Sequence, residues 1–429
     1  LSEETARVRG APAERRRVWI TGIGVLSPNG IGRQAFWTSM REGVSGVGPI
    51  THFDASELPC RVAGEVRGVN LEEALPVSER SRVSRAAPMG ILAAREALQD
   101  AGLPAERLDE ESRERIGVLV GTGAGGIEYA ERQYRLYYEN RLREVNPYAI
   151  PSSFVGTVSS EISMALRVHG PSHVVSNGCS SSSDALGYAL DQIRSGRTDV
   201  LLAGGVEACI TPGIMAGFCR MRVVSTHFND RPAAASRPFD RARDGFVLAE
   251  GSWMFVLEEA ERARARGARA YAELAGYGST CDAYHRVALA PDGAHPARAI
   301  RLALADAGAT PEEIDYVNAH GTSTPMNDSI ETRALKVALG ERAHGIPISS
   351  SKSFVGHPQG ACGALGVAVT ALALADGFIP PTLNLEEPDP QCDLDYVPQR
   401  GRLAHLRAAL CNCISFGSKN SALILRRLE

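Results

Sequence analysis

What most constrains the fold of this chain is a series of short, near-continuous apolar runs: "RVWITGIGVLS" (17–27), "IGVLVG" (116–121), "HVVSNG" (173–178), "DVLLAGGVEA" (199–208) and "SWMFVLE" (252–258). Strands without a polar alternate face are buried on both sides. Between most of them lie patterns of helical period ending on glycine, as in "APMGILAAREALQDAG" (87–102) and "SSSDALGYALDQIRSG" (181–196). The alternation predicts an α/β protein with a buried mixed or parallel sheet and helices on both faces. After "EEAERARARGAR" (258–269) the series resumes with "AYAELAGYG", "IDYVNAHG", "IPISSSKS", "ALCNCISFG" and "ALILRRL". The second part repeats the grammar of the first, so two similar halves are expected, 17–266 and 267–429, sharing one continuous core. Residues 1–16, polar and charged without an apolar stretch, read as a disordered leader.

A chain of 429 residues with 44% hydrophobic and 22% charged residues can bury a large core, and its formal net charge of −4 gives no global reason to bind nucleic acid. The nine cysteines are scattered, odd in number and without a C-x-x-C pair, which argues against a disulfide framework or a zinc knuckle and for a reducing, cytoplasmic setting. The most apolar stretch, "ALGVAVTALALADGF" (364–378), is interrupted by glycine and aspartate and reads as too short to span a bilayer.

Chemistry concentrates where strands hand over to turns. In "VVSNGCSSSSDALGYAL" (174–190), Cys179 stands between an apolar run and a serine-rich helix start. That is the geometry of a nucleophile elbow, where first-turn amides and the helix dipole favour the thiolate. Of ten histidines, His320 in "YVNAHGTSTPMNDSIET" and His357 in "SSSKSFVGHPQGACGALG" stand at strand ends among small and hydroxyl residues. The other eight read as solvated. Three further patterns carry less weight. "GTGAGG" (121–126) satisfies the dinucleotide-binding glycine pattern, but no second strand ends in an acidic residue about 20 positions on. Ser349-x-x-Lys352 matches an S-x-x-K motif without the helix that motif requires, and Cys281, Asp282 and His285 read as a loop more readily than as a metal site.

The Cys179 string, "NAHGTSTP" (318–325), "KSFVGH" (352–357) and "CNCISFG" (411–417), with "ITGIGVLSPNG", "SRPFDRARDGFVLAEG" and "PPTLNLEEPDPQCDLDYVP" in order, resemble the β-ketoacyl-acyl carrier protein synthases, the elongating condensing enzymes of fatty acid and polyketide synthesis. The resemblance runs from residue 17 onward. It implies a thiolase fold, with two βαβαβαββ halves in a five-layered αβαβα sandwich, working as a homodimer or as a heterodimer with a chain-length-factor-like subunit. It implies Cys179 as the acyl-accepting nucleophile, with His320 and His357 serving decarboxylation of a malonyl thioester and holding the enolate oxygen. Lys352 would set the electrostatics around the histidines, with Asp328 and Glu331 as its carboxylate partners. Thr322 and Thr324 would bond a phosphopantetheine arm, and Phe416 would gate the pocket and share an oxyanion hole with the backbone of Cys179. Arg80, Arg82 and Arg85 would dock the acidic acyl carrier protein. No metal and no dissociable cofactor are implied, since phosphopantetheine arrives on the carrier, and neither nucleic acid nor a membrane is expected as a partner. An asparagine in place of His357 would mark an initiating enzyme, and a C-x-G motif where Cys413, Ile414 and Ser415 stand would mark a thiolase. The chain departs from the pattern at Gly366, where a glutamate partner for Lys352 is usual, and at Ser415, Ser418 and Lys419 in the closing loop. These departures leave a second reading, a pocket-shaping subunit of a heterodimeric ketosynthase.

Overall fold

The structure is a computed structural model that describes residues 15–417 and 419–428. Ten strands carry it: β1 (Val18–Ser27), β2 (Ile116–Gly121), β3 (Ser172–Val175), β4 (Val200–Glu207), β5 (Gly251–Glu259), β6 (Ala272–Cys281), β7 (Ile314–Asn318), β8 (Ile348–Ser349), β9 (Ala408–Ser415) and β10 (Lys419–Arg426). Their hydrogen-bonded order is β8-β7-β9-β10-β6-β1-β5-β4-β2-β3, with the short Gly30–Ile31 strand paired beside β1. Read outward from the centre, the first half runs 1-5-4-2-3 and the second 6-10-9-7-8, the same order twice. In each half the three outermost strands are parallel and the two inner ones antiparallel. The halves meet where Trp19 and Ile20 of β1 pair with Glu273 and Ala272 of β6.

Six helices complete the layers: α1 (Ala86–Asp100), α2 (Thr157–Leu166), α3 (Ser181–Arg194), α4 (Ala294–Ala307), α5 (Pro325–Leu339) and α6 (Cys362–Asp376). Side chains alternate across a strand, and the alternation sorts the apolar runs into separate cores. Val118, Val120, Leu202 and Val256 face outward to Met89 and Leu98 of α1 and Ile162 of α2. Their neighbours Leu119, Leu201 and Phe255 face inward to Leu186 and Leu190 of α3 and Leu365 and Val369 of α6. In the second half Ile424 and Val317 meet Ile300 of α4 and Leu335 of α5, while Leu423 and Leu425 join the central core. Helix, sheet, helix, sheet, helix is the five-layered sandwich that the resemblance implies. The central layer explains the strongly apolar 364–378 stretch. Every residue of α6 from Cys362 to Leu374 is buried, and the helical run Gln359–Asp376 reaches a membrane-spanning length and composition with 89% of it inside the fold. The expectation that this stretch is too short is thus corrected: the helix starts upstream of the apolar run, and it lies between the two halves of the sheet.

Residues 1–14 of the expected leader lie outside the described residues, as does Ser418. Arg15 and Arg16 do not belong to a disordered leader. Arg15 pairs with Asp306 at 2.8 Å and Arg16 with Asp199, acidic partners that are remote in sequence and so invisible to a local reading.

Candidate active site

β3 stops at Val175, and the chain turns through Gly178 at φ 89° before Ser180 opens α3. A Cβ at Gly178 would lie 2.4 Å from Ser415 Oγ, so both backbone freedom and space require glycine here. The turn delivers Cys179, 3% exposed, into a cluster with Cys362 and Cys413. Burial pushes the Cys179 thiol up, against the opposing pull of the Phe416 backbone amide and the Lys352 charge. The expected bias toward thiolate is therefore corrected: in a site this dry, desolvation outweighs the Phe416 amide, the Lys352 charge and the Ser415 hydroxyl.

The imidazoles come from the second half. His320 follows β7, and its backbone N–H and that of Gly321 each donate to the Glu331 carboxylate at 2.7 Å. Asp328, one turn earlier on α5, accepts from the Thr322 and Phe239 amides at 3.0 and 2.9 Å and faces Arg243 at 3.5 Å. These carboxylates thus shape the His320 turn through its backbone, and neither makes a direct ion pair with Lys352; of the two expected partners Glu331 still acts on the lysine through its charge, whereas Asp328 faces Arg243 instead. Lys352 Nζ instead donates to the His320 carbonyl at 2.6 Å and stands 3.3 Å from His320 Nδ1. A carboxylate at position 366 would require Cys411 and Asn318 to shift, because a Cβ there would meet Cys411 Sγ at 2.5 Å and Asn318 Oδ1 at 2.9 Å.

His357 does not sit directly at a strand end. Lys352–Val355 forms a one-turn helix after β8, and beyond it the His357 N–H donates to Val247 O at 2.7 Å. Its Nδ1 accepts from the Gln359 amide at 3.1 Å. With Lys352 at one Nδ1 and an amide at the other, both rings are assigned as Nε2–H tautomers. The rings cross at 83° with centroids 5.5 Å apart. Burial first, then the Lys352 charge, holds His320 well below the usual histidine range and His357 down to about 3.

One sulfur and one nitrogen from each ring lie within 4.8 Å of one another, and all three residues line a cavity of about 370 Å³. Thr322 and Thr324, hydroxyls 2.9 Å apart, and Phe416 line it. So do Met221 and Phe246, which no motif marks, and His285, weighed above only as part of a metal pattern. His285 belongs to a polar loop and read as solvated, and only its neighbours in space reveal it. A larger hollow of about 1080 Å³ lies elsewhere, lined by Arg15, Arg194 and Arg407 among others. Those arginines are paired with Asp306 and Asp315, and none of the groups above reaches it.

Two further expectations change. Arg85 is not a free docking cation, because its guanidinium is bonded to the buried Glu250 at 2.8 and 2.9 Å. Arg80 and Arg82 lie in a short 3-10 turn and pair with the exposed Glu72 and Glu79. The glycine-rich 121–126 turn already holds an anion. The Gly123 and Ala124 amides donate to Glu207 at 2.7 and 3.1 Å, joined by Gly360 at 2.9 Å. An internal carboxylate takes the place that a pyrophosphate would need.

A twice-built five-strand frame, with a thiol from one copy and two imidazoles from the other meeting in one hollow, defines a thiolase-fold enzyme. Residues 15–263 match the family profile described as the β-ketoacyl synthase N-terminal domain, and residues 271–386 match the corresponding C-terminal domain. The chain belongs to the β-ketoacyl synthase family. It is 42% identical over 419 residues to 3-oxoacyl-acyl-carrier-protein synthase 2 of Synechocystis, covering 98% of this chain and all of that one. Among solved structures it is similar to a type II PKS acyl-carrier protein in complex with its ketosynthase bound to the hexaketide (TM-score 0.88, 34% identity). It is also similar to the ishigamide ketosynthase/chain length factor (TM-score 0.88, 36% identity). Each of these two matches covers 97% of this chain and all of the other.

Proposed function

We propose that this chain is an elongating β-ketoacyl-acyl carrier protein synthase, acting in fatty acid or polyketide synthesis, in which Cys179, His320 and His357 do the chemistry. The convergence of these three groups in one buried cavity carries the reading. Residues 17–266 bring the nucleophile and 267–429 both imidazoles. Cys179 Sγ attacks the carbonyl carbon of an acyl thioester, and the phosphopantetheine thiol leaves with the proton. Malonyl-acyl carrier protein then enters and loses carbon dioxide. The enolate oxygen is held by the two Nε2–H groups, which stay neutral donors because their surroundings are dry and Lys352 repels a further positive charge. The enolate carbon attacks the acyl group and releases the Cys179 sulfur. The same repulsion disfavours a metal ion among these ligands, and the chemistry calls for no resident cofactor.

Thr322 and Thr324, which line the cavity, would bond the phosphopantetheine arm. Arg80 and Arg82, whose exposed ion pairs are cheap to exchange, suit an acidic carrier protein. Tyr137, Tyr138, Ile150 and Phe154 are more than half exposed, an apolar surface suited to a second copy or to a chain-length-factor-like subunit. Nine free thiols fit a cytoplasmic setting. The test is mass spectrometry after incubation with acyl-acyl carrier protein. An acyl adduct on the wild type that disappears in Cys179→Ala is expected, whereas an adduct elsewhere, or none, overturns the assignment in favour of a pocket-shaping subunit.

A further inference from the structure

The backbone N–H of Cys179 is not available to a substrate in this structure. It donates to Ser415 Oγ at 2.8 Å. Ser415 ends β9, is 1% exposed, and its own hydroxyl proton has the carbonyls of Phe416 and Asn177 at 3.2 and 3.3 Å to bond. The hydroxyl is thus satisfied both as donor and as acceptor, in a space that exists because Gly178 has no Cβ. Lys419 Nζ donates to the same Asn177 carbonyl at 3.2 Å, so that carbonyl keeps a partner if the hydroxyl turns away.

We infer that Ser415 is a positioning residue that brakes acyl transfer: its Oγ occupies the Cys179 amide until the oxygen of the incoming acyl thioester displaces it. The inference rests on the reading of Cys179 as acyl acceptor. When Sγ bonds to the carbonyl carbon, the carbonyl electron pair moves onto oxygen, and that oxygen needs the Cys179 and Phe416 amides together. The pair returns as the carbon–sulfur bond to the carrier breaks, and the thiol proton ends on the departing sulfur. Oγ competes for one of those two donors before the oxyanion forms. Removing it takes a stabilising bond from the resting enzyme and leaves the donor free.

The experiment compares two reactions of the same thiol. Single-turnover acylation by an acyl-pantetheine thioester forms an oxyanion, whereas alkylation by iodoacetamide displaces iodide at a saturated carbon and forms none. Taking their ratio across a pH series cancels any change in thiolate fraction. Ser415→Ala and Ser415→Gly are expected to raise the acylation-to-alkylation ratio about two- to tenfold, the worth of one neutral hydrogen bond. A ratio unchanged or lowered in the variants that fold makes the hydroxyl a bystander or a helper, and overturns the inference. If the wild type forms no Cys179 adduct, the functional reading falls together with it. A wild-type adduct with an unraised ratio removes this inference alone.

Discussion

The two halves solve one folding problem in the same way, a buried carboxylate closing the turn after the second strand, but draw it from a strand end in one and a helix in the other, and then diverge further. After β2, the Gly123 and Ala124 amides close on the buried carboxylate of Glu207, and after β7, at the equivalent place, the His320 and Gly321 amides close on that of Glu331. In both, burial raises the carboxyl and backbone donors offset the cost. The first half then passes from β3 into α3 through residues 176–180, just enough chain for a sharp turn and one thiol. The second half inserts 350–361 between β8 and α6, and on that excursion stand Lys352 and His357. The repeat therefore supplies the frame, and of the three groups that meet in the cavity His320 stands on a turn both copies share, while Cys179 and His357 stand where the copies differ.

The largest effect should come from the divergent half. His320→Ala and His357→Ala are each expected to cut condensation by about 100- to 1,000-fold while Cys179 still accepts acyl groups, measured by product formation beside adduct mass. Full condensation by either would remove the distinction between the halves. The matched carboxylates sharpen it further. Glu207→Ala and Glu331→Ala both orphan buried amides, at a cost on the order of 2–4 kcal/mol each, read from urea midpoints. Condensation per folded molecule should fall further in Glu331→Ala, because its amides belong to the His320 turn. Equal catalytic losses would show that both cradles serve only the frame.

A smaller effect follows from pH. His357 titrates at about 3 in the folded protein against an ordinary value of 6.5, so between those values the unfolded chain binds the extra proton. Stability should be full above about pH 6.5 and decline as pH falls toward 3, by about 1.4 kcal/mol per unit for this one group. Urea titrations should show a shallower decline for His357→Gln than for the wild type. The smallest effect belongs to the surface. Reversing charge at Arg80 and Arg82 should raise KM for acyl carrier protein by about two- to fivefold and weaken its salt dependence, with small thioesters unaffected.

Much of this was legible in the sequence because it is written in local patterns. Apolar runs without a polar alternate predicted strands buried on both faces, and each of the runs quoted above contains a strand. The glycine, cysteine and serine sequence marked the Cys179 turn, since φ 89° at residue 178 calls for glycine. Other features were invisible because the partner is remote in the chain. The binding of Arg85 to Glu250, of Glu207 to the glycine-rich turn, and of Ser415 to the Cys179 amide each joins segments more than 80 residues apart. His285 lines the cavity only because its loop folds over it.

The sequence by itself determined the doubled α/β architecture and the thiol-bearing turn, and it marked the two histidines that meet the thiol in space, since backbone geometry and side-chain period are local properties of the chain. Only the tertiary structure decided which way the thiol and imidazoles are shifted, the hydrogen-bond partners of Lys352 and the occupant of the Cys179 amide. Those depend on desolvation and on charges brought within a few ångströms from both halves, and neither exists until the layers close.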